Sequence, residues 1–213
     1  MARVQPPEGA EPEGFAERFA VMREISGYVP NSMLTMALRP KILEAVMSLG
    51  TAVMLEPGEV PKGLKWMIAH IVSNAAGCRY CQAHTAHNAH RAEIPDEKID
   101  QLWSYDRSPL FSAAERAALD LALAAGQVPN AATDAHFTAL KQHFDDGQIV
   151  EIVSVISLFG WFNRWNDTMA TDLEQGPLGF AGAHLAPTGW EVGNHAGDGQ
   201  GCGNRGDADR DNS

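Results

Sequence analysis

The chain is predicted to be all-α, and three features of the sequence carry that prediction. Apolar residues recur at helical spacing along most of its length, as in Leu64, Met67, Ile68, Ile71 and Val72. Start and stop signals separate these stretches: Ser112-Ala113-Ala114-Glu115 is a capping box before one, and Gly126 with Pro129 closes it. Nowhere do apolar and polar residues alternate as in a half-buried strand. At 213 residues and 45% hydrophobic content, the chain suffices for one domain with a sizeable core.

Residues 1–14, with Pro6, Pro7, Pro12 and several glutamates, read as a loose arm. Phe15, Phe19, Met22 and Ile25 mark a first amphipathic helix, ended by Gly27 and Pro30. Asn31 or Ser32 can cap a short helix over Met33 to Leu38. Pro40 suits a first helical turn, and Ile42, Leu43, Val46, Met47 and Leu49 supply that helix's apolar face, with Gly50 either ending or interrupting it. Pro61 opens the helix that leads to Gly77, and Ile94-Pro95-Asp96 starts another with Ile99, Leu102 and Trp103 inward. An alanine-rich helix follows Ser112, Thr133 or Asp134 caps one reaching His143, and Asp145 or Asp146 caps a long apolar helix to Met169. Residues 15–175 thus form the helical domain and 176–213 an extension. Six glycines between Gly193 and Gly206 alternate with Asp, Asn and Arg, so disorder is expected from about 191, with His184 and His195 solvated.

The formal charge of −11 argues against nucleic acid or an anionic membrane as partner. No apolar run reaches membrane-spanning length and residues 1–14 lack a signal-peptide apolar region, so a cytoplasmic location is expected. There a C-x-x-C pair is more often redox-active than structural.

That pair is Cys78-Arg79-Tyr80-Cys81. Asn74 and Gly77 weaken the preceding helix, and a new one is read from near Cys78. A thiol at a helix N-terminus feels the positive end of the dipole, which stabilises thiolate. Cys78, Cys81, His84, His87 and His90 recur every third residue, so successive members fan round the helix by about 60°. Cys78, Cys81 and His84 can share a face but His90 cannot join them, which weighs against one zinc bound by all. A redox pair beside an imidazole, a structural zinc and two buried structural cysteines remain the alternatives. Cys202 lies in the glycine-rich tail and reads as incidental.

With Ile71-Val72-Ser73-Asn74-Ala75-Ala76-Gly77 before it, Cys78-Arg79-Tyr80-Cys81-Gln82-Ala83-His84 resembles the core of the carboxymuconolactone decarboxylase / alkylhydroperoxidase-D-like superfamily, in its peroxidase-related branch. The likeness spans roughly residues 15–175. It implies an all-helical fold, usually assembled as trimers or hexamers, and a dithiol site in which Cys81 attacks a hydroperoxide and Cys78 resolves it as a disulfide. The chain departs from the pattern twice: Trp66 stands where the peroxidases place a relay glutamate, and Thr85 where they place a histidine, with His84 one residue earlier.

The missing glutamate leaves the proton relay to be reassigned. His84 is first choice, one turn from Cys81 and with an unperturbed pKa near 6.5. Asn163-Arg164-Trp165-Asn166 matches Cys78-Arg79-Tyr80-Cys81 as a candidate helix-pair duplication, which puts Glu151 in the slot matching Trp66 and makes it second choice. The plainer reading of Glu151 is a solvated charge, and of Asn163, Arg164, Asn166 and Asp167 a buried polar network. His70 is a further candidate or a satisfied core histidine; Tyr80 is a proton donor or packing. His87 and His90 read as solvated or at a subunit contact, and Trp66, Trp103, Trp161 and Trp165 as core or interface aromatics. The leading function is a thiol-dependent hydroperoxide reductase or general thiol oxidoreductase, regenerated by a dithiol reductant, needing no metal or organic cofactor, and acting as a homo-oligomer (trimer, hexamer or dimer). Cofactor-free decarboxylase or lactone chemistry and a non-enzymatic oligomeric module are the competing classes.

Overall fold

The computed structural model describes residues 2–5 and 14–197, and among these it contains helices and turns with no strand. The helices are α1 (Ala16–Ser26), α2 (Asn31–Met36), α3 (Pro40–Gly50), α4 (Lys62–Ala76), α5 (Arg79–Arg91), α6 (Asp96–Asp100), α7 (Ala113–Ala125), α8 (Asp134–Leu140), α9 (Asp146–Met169) and α10 (Gln175–His184). The all-α expectation holds. No described helix is long and apolar enough to cross a membrane.

At the centre is α4, buried almost throughout from Leu64 to Ser73 because α5, α7 and α9 all pack along it. It ends at Gly77, whose φ of 75° lets its N–H reach the Asn74 and Ser73 carbonyls. A β-carbon disfavours that left-handed turn, and glycine removes the penalty. The Cys78 N–H also donates to Ser73 O, at 3.2 Å, and α5 then runs back alongside α4. The two cysteines therefore sit where one buried helix ends and another begins.

The long helix α9 crosses this pair. Its start is a capping box in which Asp145 and Gln148 satisfy each other's backbone N–H groups. The buried positions Ile149, Ile152, Val155, Ile156 and Phe159 follow helical spacing, then change to Asn163 and Asn166 where α9 passes the cysteines. It runs unbroken through Asn163-Arg164-Trp165-Asn166, whereas α4 and α5 are separated by Gly77. The Ser112–Glu115 capping box forms as expected. Gly50 does not end its helix; the chain continues as a π-helical turn over Thr51–Leu55.

A smaller cluster of Phe15, Phe19, Val29, Met36 and Leu43 ties α1, α2 and α3 to Phe162 and Trp165 of α9. At the N-terminal arm, Arg3 donates its backbone N–H to Met169 O at 2.9 Å and its guanidinium to Thr168 O at 2.6 Å.

The expectation of disorder from about 191 is corrected for residues 191–197, which lie packed over the N-terminal end of α5. After α10 the chain turns at Gly189 and buries Trp190, whose indole N–H donates to Arg79 O at 3.2 Å. A short 3₁₀ turn, Gly193–His195, follows, and Leu173 N–H donates to His195 O at 2.9 Å. Anchors on both sides offset the entropy that made this segment read as loose. His184 is likewise not a solvated tail residue: it ends α10, stacks on Phe180 and reaches Asp100 at 2.9 Å. Residues 198–213, including Cys202, lie outside the described region.

Candidate functional site

Cys78 is the N-cap of α5, with extended backbone, and Cys81 occupies the first turn. Both are free thiols and both are buried. Their environments pull them apart. Hydrogen bonding from Cys81 draws the Cys78 thiol down to about 6 against the opposing effect of burial, with a smaller contribution from His195. Burial pushes the Cys81 thiol up, reinforced by its hydrogen bond to Cys78, although Asn166 Nδ2 approaches its sulfur at 3.5 Å. The arrangement favours ionisation at Cys78, at the helix N-terminus, with Cys81 three residues on as its hydrogen-bond donor.

The third group at this thiolate comes from the C-terminal segment. His195 is fully buried, and its Nδ1 bonds to Thr171 O at 2.8 Å. A backbone carbonyl only accepts, so Nδ1 carries a proton. The other ring nitrogen, Nε2, has no hydrogen-bond partner. It lies 3.7 Å from Asp167 Oδ1, and the Cys78 sulfur, an Asp167 oxygen and a His195 ring nitrogen all lie within 4.8 Å of one another. These are donor atoms a metal could use, but the group does not extend to Cys81 and its carboxylate is solvent-exposed. A structural zinc takes four such donors. The set fits a thiolate–imidazole–carboxylate array better.

A second acid–imidazole cluster lies deeper along α5. Glu174 Oε2 pairs with His84 Nε2 at 2.6 Å, while Oε1 accepts from Tyr80 OH at 2.9 Å and from the Asn31 N–H at 2.5 Å. His84 Nδ1 faces Tyr28 OH at 3.4 Å, and its ring stacks on Tyr80 at 4.3 Å. Burial alone would raise the Glu174 carboxyl, but the His84 imidazole and the backbone donors bring it below its usual range. Burial and Glu174 hold the Tyr80 phenol well above its ordinary value. Both nitrogens of His84 are thus occupied away from the cysteines. Tyr80 bridges the clusters, its ring 5.8 Å from that of His195.

Outside these clusters, a groove of ≈ 970 Å³ runs between α4, α7 and α9, lined by Val72, Ile156, Trp161 and Trp165. Asn163 and Asp167 also line it, so its polar edge is the carboxylate beside Cys78.

The fold that carries this site is shared with known proteins. The model of the carboxymuconolactone decarboxylase family matches residues 40–124. A Cys-to-Ala variant of the debrominase Bmp8 in complex with 2,3,4-tribromopyrrole superposes with a TM-score of 0.78 at 30% identity, over 84% of this chain and 96% of that one. The chain belongs to the carboxymuconolactone decarboxylase / alkylhydroperoxidase-D-like superfamily. A peroxidase-related protein with an alkylhydroperoxidase AhpD core, from Ralstonia eutropha JMP134, gives a TM-score of 0.76 at 29% identity, over 84% and 95% of the two chains. The uncharacterized protein YnjA of Escherichia coli K12 is 33% identical over 92 residues, 43% of this chain and half of that protein.

Within the superfamily pattern, Trp66 at the glutamate slot is a packing residue, edge-on to Phe159 at 6.0 Å. Glu151 lies roughly 18 Å of helix away from Asn163, at 1.5 Å per residue. It binds Lys65 Nζ at 2.9 Å and the Glu59 N–H at 2.8 Å, which makes it a clamp at the far end of α4 rather than a neighbour of the cysteines. His70 is a buried core histidine on Thr85 Oγ1 at 3.0 Å, its pKa lowered to about 4 by burial. The relay candidates are therefore all bonded away from the cysteines: Tyr80 and His84 to Glu174, His70 to Thr85 and Glu151 to Lys65. Sequence reasoning missed Glu174 and His195. The apolar residues Leu173, Leu178, Ala181, Leu185 and Trp190, which pack into the core, are the signal that could have shown the stretch before His195 to be anchored.

Proposed function

We propose that the chain is a cysteine-based oxidoreductase that reduces a small hydroperoxide with its own two thiols. One observation carries this reading: Cys78 and Cys81 are free, buried thiols three residues apart at the N-terminus of α5, with hydrogen bonding between them drawing Cys78 down. In the first step the Cys78 thiolate attacks the distal peroxide oxygen. The O–O bond breaks, an alkoxide leaves and takes up a proton, and the sulfur becomes a sulfenic acid. In the second, the Cys81 sulfur attacks Cys78, expelling water and closing a disulfide. The sum is ROOH plus two thiols giving ROH, water and a disulfide, which a dithiol reductant reopens. The resemblance gives the attacking role to Cys81; the N-cap position and the lowered pKa favour Cys78 instead.

Peroxide consumption with dithiothreitol tests the proposal. The parent protein should turn over, and Cys78→Ser and Cys81→Ser should each lose turnover, with Cys81→Ser retaining one stoichiometric oxidation of Cys78. Retention of turnover by either variant would refute the dithiol reading.

Similarity to a debrominase favours a second reading. The same pair could reduce a carbon–bromine bond: the thiolate takes bromine from an activated aromatic ring, the ring carbon takes a proton, and the second thiol displaces bromide as the disulfide closes. The aromatic-lined groove suits such a ring, and bromide release beside the peroxide assay separates the two substrates. A homo-oligomer is proposed as the working form, because Val150, Val153 and Trp161 of α9 are exposed. Light scattering giving a monomer of 23.0 kDa would exclude it.

A further inference from the structure

We propose that His195, held in place by the C-terminal segment over α5, is the proton-transfer partner of Cys78. The proposal rests on the dithiol reading above and adds the residue that replaces the relay glutamate, from a part of the chain outside the residues matched by the family model.

The geometry is that of a poised base. The ring is fully buried, so an unpartnered nitrogen there costs free energy that solvent cannot relieve. Thr171 O fixes the tautomer, leaving the lone pair on Nε2. A His195 ring nitrogen lies within 4.8 Å of the Cys78 sulfur and of an Asp167 oxygen, and Nε2 itself is 3.7 Å from Asp167 Oδ1. The charged and titratable groups facing the pair are Cys81 and Tyr80 from α5 and Asp167 from α9. Asp172 packs against Gly197, just beyond His195. Arg79, the residue after Cys78, lies along Gly193 and donates from its guanidinium to Gln82 Oε1 at 3.4 Å. Imidazole returns protons readily near neutral pH.

In the reaction, His195 accepts the Cys78 thiol proton as the sulfur ionises and gives it to the departing alkoxide. Neutral again, it takes the Cys81 proton as the disulfide closes and passes it to the leaving hydroxide, which departs as water. Two thiol protons are thus moved, one into the alcohol and one into water, and the peroxide is reduced by the electrons of the two sulfurs.

The segment also acts as a cover. Trp190 on Arg79 O, His195 O on Leu173 N–H and the ring on Thr171 O hold residues 190–195 across the N-cap thiol. The same contacts that bury Cys78 deliver its base.

The test follows thiolate ultraviolet absorbance against pH in a Cys202→Ser background, which leaves only Cys78 and Cys81. It needs no substrate, so its outcome is separate from that of the peroxide assay. The parent should show a midpoint near 6, the value to which Cys78 is drawn, and Cys78→Ser should remove it. His195→Gln, which can keep the bond to Thr171 O, should raise the midpoint by about one pH unit or more. An unchanged midpoint, with the C-terminal segment still resistant to limited proteolysis, overturns the proposal. If His195→Gln releases the segment, the unmutated protein decides through its ¹⁵N-histidine spectrum. The His195 Nε2 resonance should move when the dithiol is oxidised; a resonance indifferent to oxidation overturns the proposal.

Discussion

The two buried histidine clusters at α5 differ in one respect that decides what each can do. In the His84–Glu174 cluster every polar atom has a partner: both carboxylate oxygens, both imidazole nitrogens and the Tyr80 hydroxyl are bonded. In the Cys78–His195 cluster one imidazole nitrogen is unbonded, and the ring lies beside a thiol held at a helix N-terminus. A satisfied buried network stiffens the fold, whereas an unsatisfied base beside a nucleophile is free to move a proton. Proximity to the cysteines in sequence favours His84; bonding favours His195, more than a hundred residues away.

The sharpest way to break this comparison is to disable the satisfied cluster. Glu174→Ala leaves His84, Tyr80 and the Asn31 N–H without an acceptor in a mostly buried site, and should lower unfolding free energy by about 3–5 kcal/mol. Urea unfolding measures it, and the Cys78 thiolate midpoint in the folded variant should stay within experimental scatter. A midpoint shift as large as that in His195→Gln would mean the two clusters are one site.

His70 gives a comparable but pH-dependent effect. Its folded pKa of about 4 lies below the ordinary 6.5, so between those values the unfolded chain binds the extra proton. Its stabilising effect is therefore complete above 6.5 and lost as pH falls toward 4, about 3 kcal/mol in all. Denaturant midpoints across that window should show the loss, and His70→Gln should flatten the slope there.

Glu151→Gln should have the smallest effect, about 1–2 kcal/mol, because Lys65 keeps its bond to Val53 O. Peroxide turnover should not change. A turnover loss of about 10²-fold or more, the scale of general acid–base assistance, would instead return the relay to Glu151.

How much of this the sequence disclosed depends on the range of the interactions. Gly77 before Cys78 announced a helix break and an N-cap thiol, because a left-handed residue and a capping position are local signals. The capping box at Ser112, and a cap at Asp145 or Asp146, were readable for the same reason. Glu174 was invisible because its role depends on meeting His84 and Asn31 from a connecting segment far along the chain. His195 was obscured by the glycines around it, whose composition is that of a loose tail. Its burial depends on Trp190 and on backbone bonds to Leu173 and Thr171, which no periodicity encodes. Family spacing also pointed to Thr85 and Trp66 as the altered relay slots, yet could not say that the replacement lay outside the matched residues.

The central claim, that Cys78 is the ionised thiol of the pair, has a direct test. Brief alkylation by iodoacetamide across a pH series, followed by peptide mapping, reports each cysteine separately. Labelling of Cys78 should rise through pH 6 and level off, with Cys81 lagging until far higher pH. Preferential labelling of Cys81 near neutral pH, with Cys78 silent, would contradict the account.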